Sequence, residues 1–390
     1  MTCIEALAGI FFMASYLPSS SVVFRRLFQP ASDAYQGSVK TYDCTELTDL
    51  DFLEMGVGRC LSDSQTGRDF IQRHGDHDRK QVSVDLFFKN LKSKRRLANL
   101  KSVGDGIKTA LDIDLFDALD GIKELENFAV YAGDGHYHSA AVHDKKEVSS
   151  DGSERNAATG HFFLLNLRNH LLSHLGTALK GDGRKREHDM HAIKRSTMDQ
   201  LRNGEPKGRK VIVAWDKAGI DFPFWQKAKH CSGLYFISRE KENMKLTRCG
   251  NRPINGKDLR NEGVTRDEQV GPGGSGGEMF RRISYTDPVT GDSYVFLTTE
   301  MTLEPGILVL IYKHRWDIEK VFDELKNKLA EKKSWASGSV AKTIHAHFLC
   351  LTHNLLVRLE AIVETAEGLT NGNEEKRKRK RRIATEKNGG

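Results

Sequence analysis

Three short apolar runs constrain most strongly what this chain can become: Phe128 to Ala132, Val211 to Trp215 and Gly233 to Ser238. Each has the length of one buried strand, and helix-length segments lie between the later ones. That alternation is the signature of an α/β sheet with helices packed on it. The first run is expected to stop at Gly133-Asp134-Gly135, and the second ends on Asp216. His138 to His143 and Gly160 to Leu167 read as neighbouring strands, and a polar helix is expected over Glu187 to Leu201, broken by Gly204-Glu-Pro-Lys-Gly208. A short helix around Phe222 to Lys229 precedes the third run.

Residues 240–300 interrupt this rhythm. They are rich in Gly, Asn, Thr and Arg, contain the run Gly271 to Gly277, and carry short alternating segments at Arg281 to Tyr285 and Ser293 to Thr298. They read as a β-rich insertion. Helical periodicity then resumes, with one long helix expected over Glu304 to Glu331 and another over Val340 to Glu364. The second carries Ile344, Phe348, Leu351, Leu355 and Leu359 on one stripe.

At 390 residues the chain is long enough for about two to three domains. The expected divisions are a mainly helical region over 1–125, a sheet-and-helix core over 126–239, the insertion over 240–300, the rest of the core over 301–365 and a polar tail over 366–390. No run approaches the roughly 18 apolar residues of a membrane span. Ala6 to Leu17 is short and preceded by Glu5 instead of a basic region, so neither a membrane nor a secreted protein is expected. The six cysteines lie far apart with no C-x-x-C pair, which suits a reducing, cytoplasmic compartment.

Charge is informative by position more than by sum. The net +7 comes from 60 Lys and Arg against 53 Asp and Glu, and Lys376 to Arg382 is a run of seven bases, so outside it acids and bases balance. That tail is either a non-specific contact for a polyanion or a solvated end. Residues 86–104 carry Lys89, Lys92, Lys94, Arg95, Arg96 and Lys101 without an acid, beside Phe87, Phe88 and Leu91. They read as an amphipathic helix with a positive face, or simply as a solvated one. Lys92, Arg95 and Arg96 are candidate phosphate contacts.

The most informative stretch is Tyr312-Lys-His-Arg-Trp-Asp-Ile-Glu319, continuing to Lys326. On a regular helix Arg315, Glu319 and Lys326 stand at about −60°, −20° and −40° from Tyr312, on one face. Ile318, Phe322, Leu325 and Leu329 form a separate apolar stripe. An arbitrary charged helix of this kind is more often an exposed, salt-bridged one. Asp134 and Asp216 at strand ends alter that balance, because α/β sheets place ligand-binding groups there. Two such Asp residues and a helical Glu make a hard, all-oxygen set suited to Mg²⁺, and a set of this type can hold two ions for phosphodiester chemistry.

Tyr312, Arg315, Glu319 and Lys326 reproduce the Y-(2)-R-(3)-E-(6)-K spacing of DDE transposases of the insertion-sequence-four family. Over roughly residues 125–360 the series Asp134, Asp216, β insertion, Glu319 also resembles that family's RNase H-like core. The resemblance implies a mixed sheet flanked by helices, with Asp134, Asp216 and Glu319 binding two Mg²⁺ or Mn²⁺ ions. It further implies that Tyr312, Arg315 and Lys326 contact phosphates, and that water or a DNA 3′-OH is the nucleophile in cleavage and strand transfer at terminal inverted repeats. The implied partners are double-stranded transposon-end and target DNA, bound by a homodimer or larger synaptic complex at the nucleoid.

The chain departs from the family pattern in places. His136 stands where many relatives carry a small hydroxyl residue, and none of Trp215, Trp225, Trp316 and Trp335 lies in the insertion, where some relatives stack a flipped base. His136 and His138 read as neighbouring polar or structural residues. Two further readings stay open: a catalytically silent DNA-binding descendant, and an RNase H-like nuclease that cuts without joining.

Overall fold

The computed structural model describes residues 21–35, 46–64, 66–78, 81–111, 117, 119–148, 152–155, 158–178, 189–272, 279–329 and 333–367. The basic run at 376–382 and Asp112 and Asp114 lie outside the described residues. Two compact units divide the chain: Met1–Phe116 with Tyr137–Thr159 and Phe322–Gly390, and Asp117–His136 with Gly160–Val321.

The second unit is built on the sheet. Its strands are β1 (Phe128–His138), which runs two residues past the unit boundary, β4 (Thr159–Asn166), β5 (Leu172–Thr177), β6 (Lys210–Trp215) and β7 (Leu234–Arg239). They continue with β8 (Leu246–Asn251), β9 (Val264–Pro272), β10 (Phe280–Thr286) and β11 (Ser293–Thr298). Two short strands, β2 (Glu147–Val148) and β3 (Glu154–Arg155), pair in a separate ribbon. Among the described residues the nine strands form one sheet in the order β5-β4-β1-β6-β7-β11-β10-β9-β8. β1, β6 and β7 are parallel, and the β4–β5, β7–β11, β11–β10, β10–β9 and β9–β8 pairs are antiparallel. The expected β-rich segment is therefore not a sheet of its own: β11 pairs with β7 and extends the central sheet.

The helices are α1 (Val22–Ala34), α2 (Asp49–Leu61), α3 (Gly67–Asp78), α4 (Val84–Asn90), α5 (Lys94–Leu111), α6 (Asp189–Arg195) and α7 (Met198–Leu201). After them come α8 (Phe222–Ser232), α9 (Pro305–His314), α10 (Trp316–Lys328) and α11 (Ser339–Glu367). On one side of the sheet Tyr131, Phe162, Val211, Val213, Trp215 and Phe236 pack with Ile193, Leu201, Trp225 and Ala228 from α6, α7 and α8. The central strand β6 is buried from Val211 to Trp215, as a strand covered on both faces requires. α8 starts where the Asp221 carboxylate accepts from the Phe224 amide, and ends where Gly233 takes φ 58°.

In the first unit α11 packs on α1, α2 and α5. By length and apolarity its Ser339–Val363 segment could cross a membrane, but over half of its most apolar window is buried inside the protein. The expected stripe of Ile344, Phe348, Leu351, Leu355 and Leu359 forms its buried side. A Cβ on Gly56 of α2 would overlap the Phe348 ring, so only a glycine permits that approach.

Several expectations need correction. β1 does not stop at Gly133: it runs on to His138, because β4 flanks it after its pairing with β6 has ended at Gly133. His138 to His143 is accordingly not a further strand. The polar helix expected over 187–201 is two, since Thr197 caps a new turn against Gln200; residues 187 and 188 lie outside the described set. The single helix expected over Glu304 to Glu331 breaks at Arg315, whose amide donates to Tyr312 three residues back at 3.1 Å. The basic stretch over 86–104 is likewise two helices, α4 and α5.

Candidate active site

The parallel register of β1 and β6 sets opposite each other Ala132 with Ala214 and Gly133 with Trp215. The next residue on each strand is an Asp, so the pairing itself delivers Asp134 and Asp216 to the same point of the sheet. A Cβ on Gly133 would lie 2.0 Å from carbons of the Trp215 ring, and one on Gly219 would lie 2.7 Å from the same indole. The wholly buried indole thus packs against two glycines, and no larger residue fits at Gly133. Asp216 leaves β6 as the cap of a short 3₁₀ turn, its Oδ1 accepting from the Ala218 amide at 2.8 Å. The Ser238 hydroxyl of β7 donates to the Asp216 carbonyl at 2.8 Å, which fixes its backbone.

Asp134 is partly buried, and its Oδ1 accepts from the Gly135 amide at 2.7 Å. Burial pushes its carboxyl up to about 7; the Gly135 amide and Arg315 oppose the rise, while the negative charges of Asp216 and Asp189 add to it. Withdrawal from water is the main cause, and the neighbouring carboxylates add to it.

Arg315, at the break between α9 and α10, supplies some of that charge. It is 7% exposed; Nη2 meets Glu319 Oε1 at 2.9 Å and Nη1 lies 3.6 Å from Asp134 Oδ2. Burial works against its charge, but Tyr312, Glu319 and Asp134 outweigh burial and raise its pKa. Its guanidinium also lies over the Tyr312 and Trp316 rings, at 5.7 and 5.6 Å from their centres. Tyr312 is itself buried against Phe296, ring centres 4.8 Å apart; burial raises its hydroxyl pKa and Arg315 works against the rise.

Asp134, Asp216, Tyr312, Arg315 and Glu319 are thus gathered by β1, β6, α9 and α10. Lys326, further along α10, is exposed and belongs to the other unit. Arg315 faces inward, onto carboxylates, and not outward. In the first unit Arg96 is only 1% exposed, its guanidinium paired with the buried Asp49 and hydrogen-bonded to the Leu47 carbonyl. It is a core residue, which corrects its reading as a phosphate contact. Arg95 meets the same carboxylate at 2.6 Å, whereas Lys92 is exposed. His138 is buried, 5.1 Å between ring centres from His345, as a structural residue would be.

Asp189, at the start of α6, is the residue that sequence reasoning passed over. It accepts from the buried Trp215 indole N–H at 3.2 Å and contributes to the field on Asp134. No apolar run or recognisable spacing marks it. Among the described residues no three His, Cys, Asp or Glu side chains stand close enough together to hold a metal ion as they are.

Residues 170–355 match the family model of the transposase DDE domain. That segment, a little under half of the chain, contains Asp216, Tyr312, Arg315, Glu319 and Lys326 and begins after Asp134. The match supports a DDE transposase. No curated protein matches the chain by sequence.

Proposed function

We propose that the protein is a transposase of the insertion-sequence-four type, cleaving and joining DNA at the terminal inverted repeats of its own element. The observation that carries this reading is Arg315: one guanidinium reaches both Asp134 and Glu319, on elements brought together from opposite ends of the sheet unit's sequence. The order β5-β4-β1-β6-β7, with β1 and β6 parallel and β4 and β5 antiparallel, supports an RNase H-like core.

The donor set fits a hard divalent cation. It is all carboxylate oxygen, Asp134 is held largely out of water, and a cationic group already reaches both it and Glu319. Asp134, Asp216 and Glu319 would hold Mg²⁺ or Mn²⁺, two ions in the full site. The chemistry a bound pair supplies is activation of the attacking hydroxyl and stabilisation of the leaving oxygen. The chain's own contribution is positioning. Trp215, packed against Gly133 and Gly219, makes a floor beside both Asp residues, and the Asp216 cap fixes the second. Arg315 holds Glu319 on its α10 turn and tempers the repulsion around Asp134, while exposed Lys326 and Lys92 are available to DNA phosphates.

Double-stranded transposon-end and target DNA, a dimeric or larger synaptic complex and a cytoplasmic, nucleoid-associated location belong to the same proposal. Its test is Glu319→Gln with a labelled terminal-repeat duplex in Mg²⁺ or Mn²⁺. Cleavage should vanish with the far-ultraviolet circular dichroism unchanged, and retained cleavage refutes the assignment. Binding without cleavage by the unmodified protein favours a silent DNA-binding descendant; cleavage without joined product favours a nuclease.

A further inference from the structure

Asp189 lies outside the three carboxylates, yet it touches what holds two of them. Its Oδ2 accepts from Trp215 Nε1 at 3.2 Å, and a Cβ on Gly135 would lie 3.5 Å from its Oδ1. Trp215 is the residue before Asp216, and Gly133 and Gly135 are the residues on either side of Asp134. The indole is wholly buried, with its rings filling the space over Gly133 and its five-membered ring against Gly219. A buried indole N–H needs an acceptor, and Asp189 supplies one from a different element, the first turn of α6.

We propose that Asp189 is a positioning residue for the paired Asp134 and Asp216: it locks the Trp215 indole, and the indole braces the ends of the two strands where both carboxylates emerge. The function is carried by the acceptor oxygen, not by the negative charge. An acceptor alone suffices to hold the indole, and the ring, through Gly133, transmits that constraint to Asp134. Loss of the acceptor frees the indole to tilt in its slot, and displacement of reacting groups by about 1 Å can cost about a hundredfold in rate.

The catalytic half of this inference rests on the transposase reading; the structural half does not. Two variants separate acceptor from charge. Asp189→Asn keeps a carbonyl oxygen for the indole and loses the charge, whereas Asp189→Ala loses both. The full-length protein labelled with ¹⁵N-tryptophan gives an indole N–H signal for Trp215, assigned with Trp215→Phe. In Asp189→Ala that signal should move and its hydrogen exchange should accelerate at least tenfold, while Asp189→Asn keeps exchange within about threefold of the unmodified protein. In Mn²⁺-dependent cleavage of end DNA, Asp189→Ala should lose about tenfold to a hundredfold and need more Mn²⁺ for half-maximal rate. Asp189→Asn should recover most of both. A protein that is merely less folded would lose rate without a change in metal requirement.

An unmoved indole signal in Asp189→Ala overturns the proposal. So does an Asp189→Asn variant as impaired as Asp189→Ala in cleavage, which would mean that the charge itself acts at the site. If the unmodified protein does not cleave, the transposase reading fails, and the indole measurement still decides whether Asp189 locks Trp215.

Discussion

Gly133→Ala is the sharpest perturbation the structure offers, because it adds one methyl group at the point where both strand-borne carboxylates are set. The new Cβ would sit 2.0 Å from the Trp215 ring, about 1.4 Å inside an ordinary contact of 3.4 Å. The ring has little room to yield: it is wholly buried, Gly219 lies against its five-membered ring and Asp189 holds its N–H. β1 must therefore shift relative to β6, or the indole must leave its slot. Overpacking of this kind costs about 1 to 3 kcal/mol, and a shift of about 1 Å at reacting groups costs about a hundredfold in rate. Urea unfolding and Mg²⁺-dependent end cleavage measure the two effects. Gly104→Ala is the control, since a Cβ there meets nothing within 4 Å and a helical alanine should be neutral or stabilising by up to about 1 kcal/mol. Unchanged stability and cleavage in Gly133→Ala would refute the claim that the indole braces the two strands where the carboxylates emerge.

Three further outcomes follow from charges. Burial, with Asp216 and Asp189 nearby, raises the Asp134 carboxyl to about 7 from an ordinary 3.8, so the metal-free protein should lose stability as pH rises from about 4 to about 7. Asp134→Asn should remove that loss, about 4 kcal/mol at most, and Mg²⁺ should raise the melting temperature of the unmodified protein more at pH 8 than at pH 5.5; calorimetry over that pH range checks both. Asp317 behaves oppositely: despite burial, His314 at 2.8 Å and Lys320 hold its carboxyl down at about 2. Its stabilising contribution, about 2 kcal/mol, is present above about pH 4 and lost as pH falls through about 2, so Asp317→Asn and the unmodified protein should converge in denaturant unfolding at the acid end. In the β9–β10 pair, Arg281 grips buried Asp267 through two bonds of 2.9 and 2.7 Å. Arg281→Met should cost about 3 to 5 kcal/mol by leaving the carboxylate only the longer Arg252 contact at 3.5 Å, and adding Asp267→Leu should recover part of it, as urea unfolding of the single and double variants would show.

The residues whose environment is set locally were legible in the sequence. The apolar run Val211 to Trp215 became the central strand, the segments at Arg281 to Tyr285 and Ser293 to Thr298 became β10 and β11, and the stripe from Ile344 to Leu359 became the buried side of α11. What was not legible depends on a partner distant in the chain. Arg95 and Arg96 belong to a run with no acid in it, and only the fold brings Asp49 to them. Charge patterning along a helix shows which residues are basic; it cannot show which of them an acid nearly fifty residues earlier will draw inward.

Gly133-Asp134-Gly135 shows the same limit in the site itself. By sequence two glycines around an Asp are a stop signal, since glycine weakens a strand interior. In the fold the strand continues, because the first glycine makes room for an indole from the neighbouring strand and β4 supplies pairing beyond it. The glycine that looked like a break is thus what leaves room for the indole that braces the strands beside the two carboxylates. The same reasoning explains why Asp189 left no trace in the sequence. Its role is defined by Trp215, which lies twenty-six residues away, and by the two glycines against which the indole packs. A residue that acts by holding another in place acquires its meaning only when the residue it holds has been located.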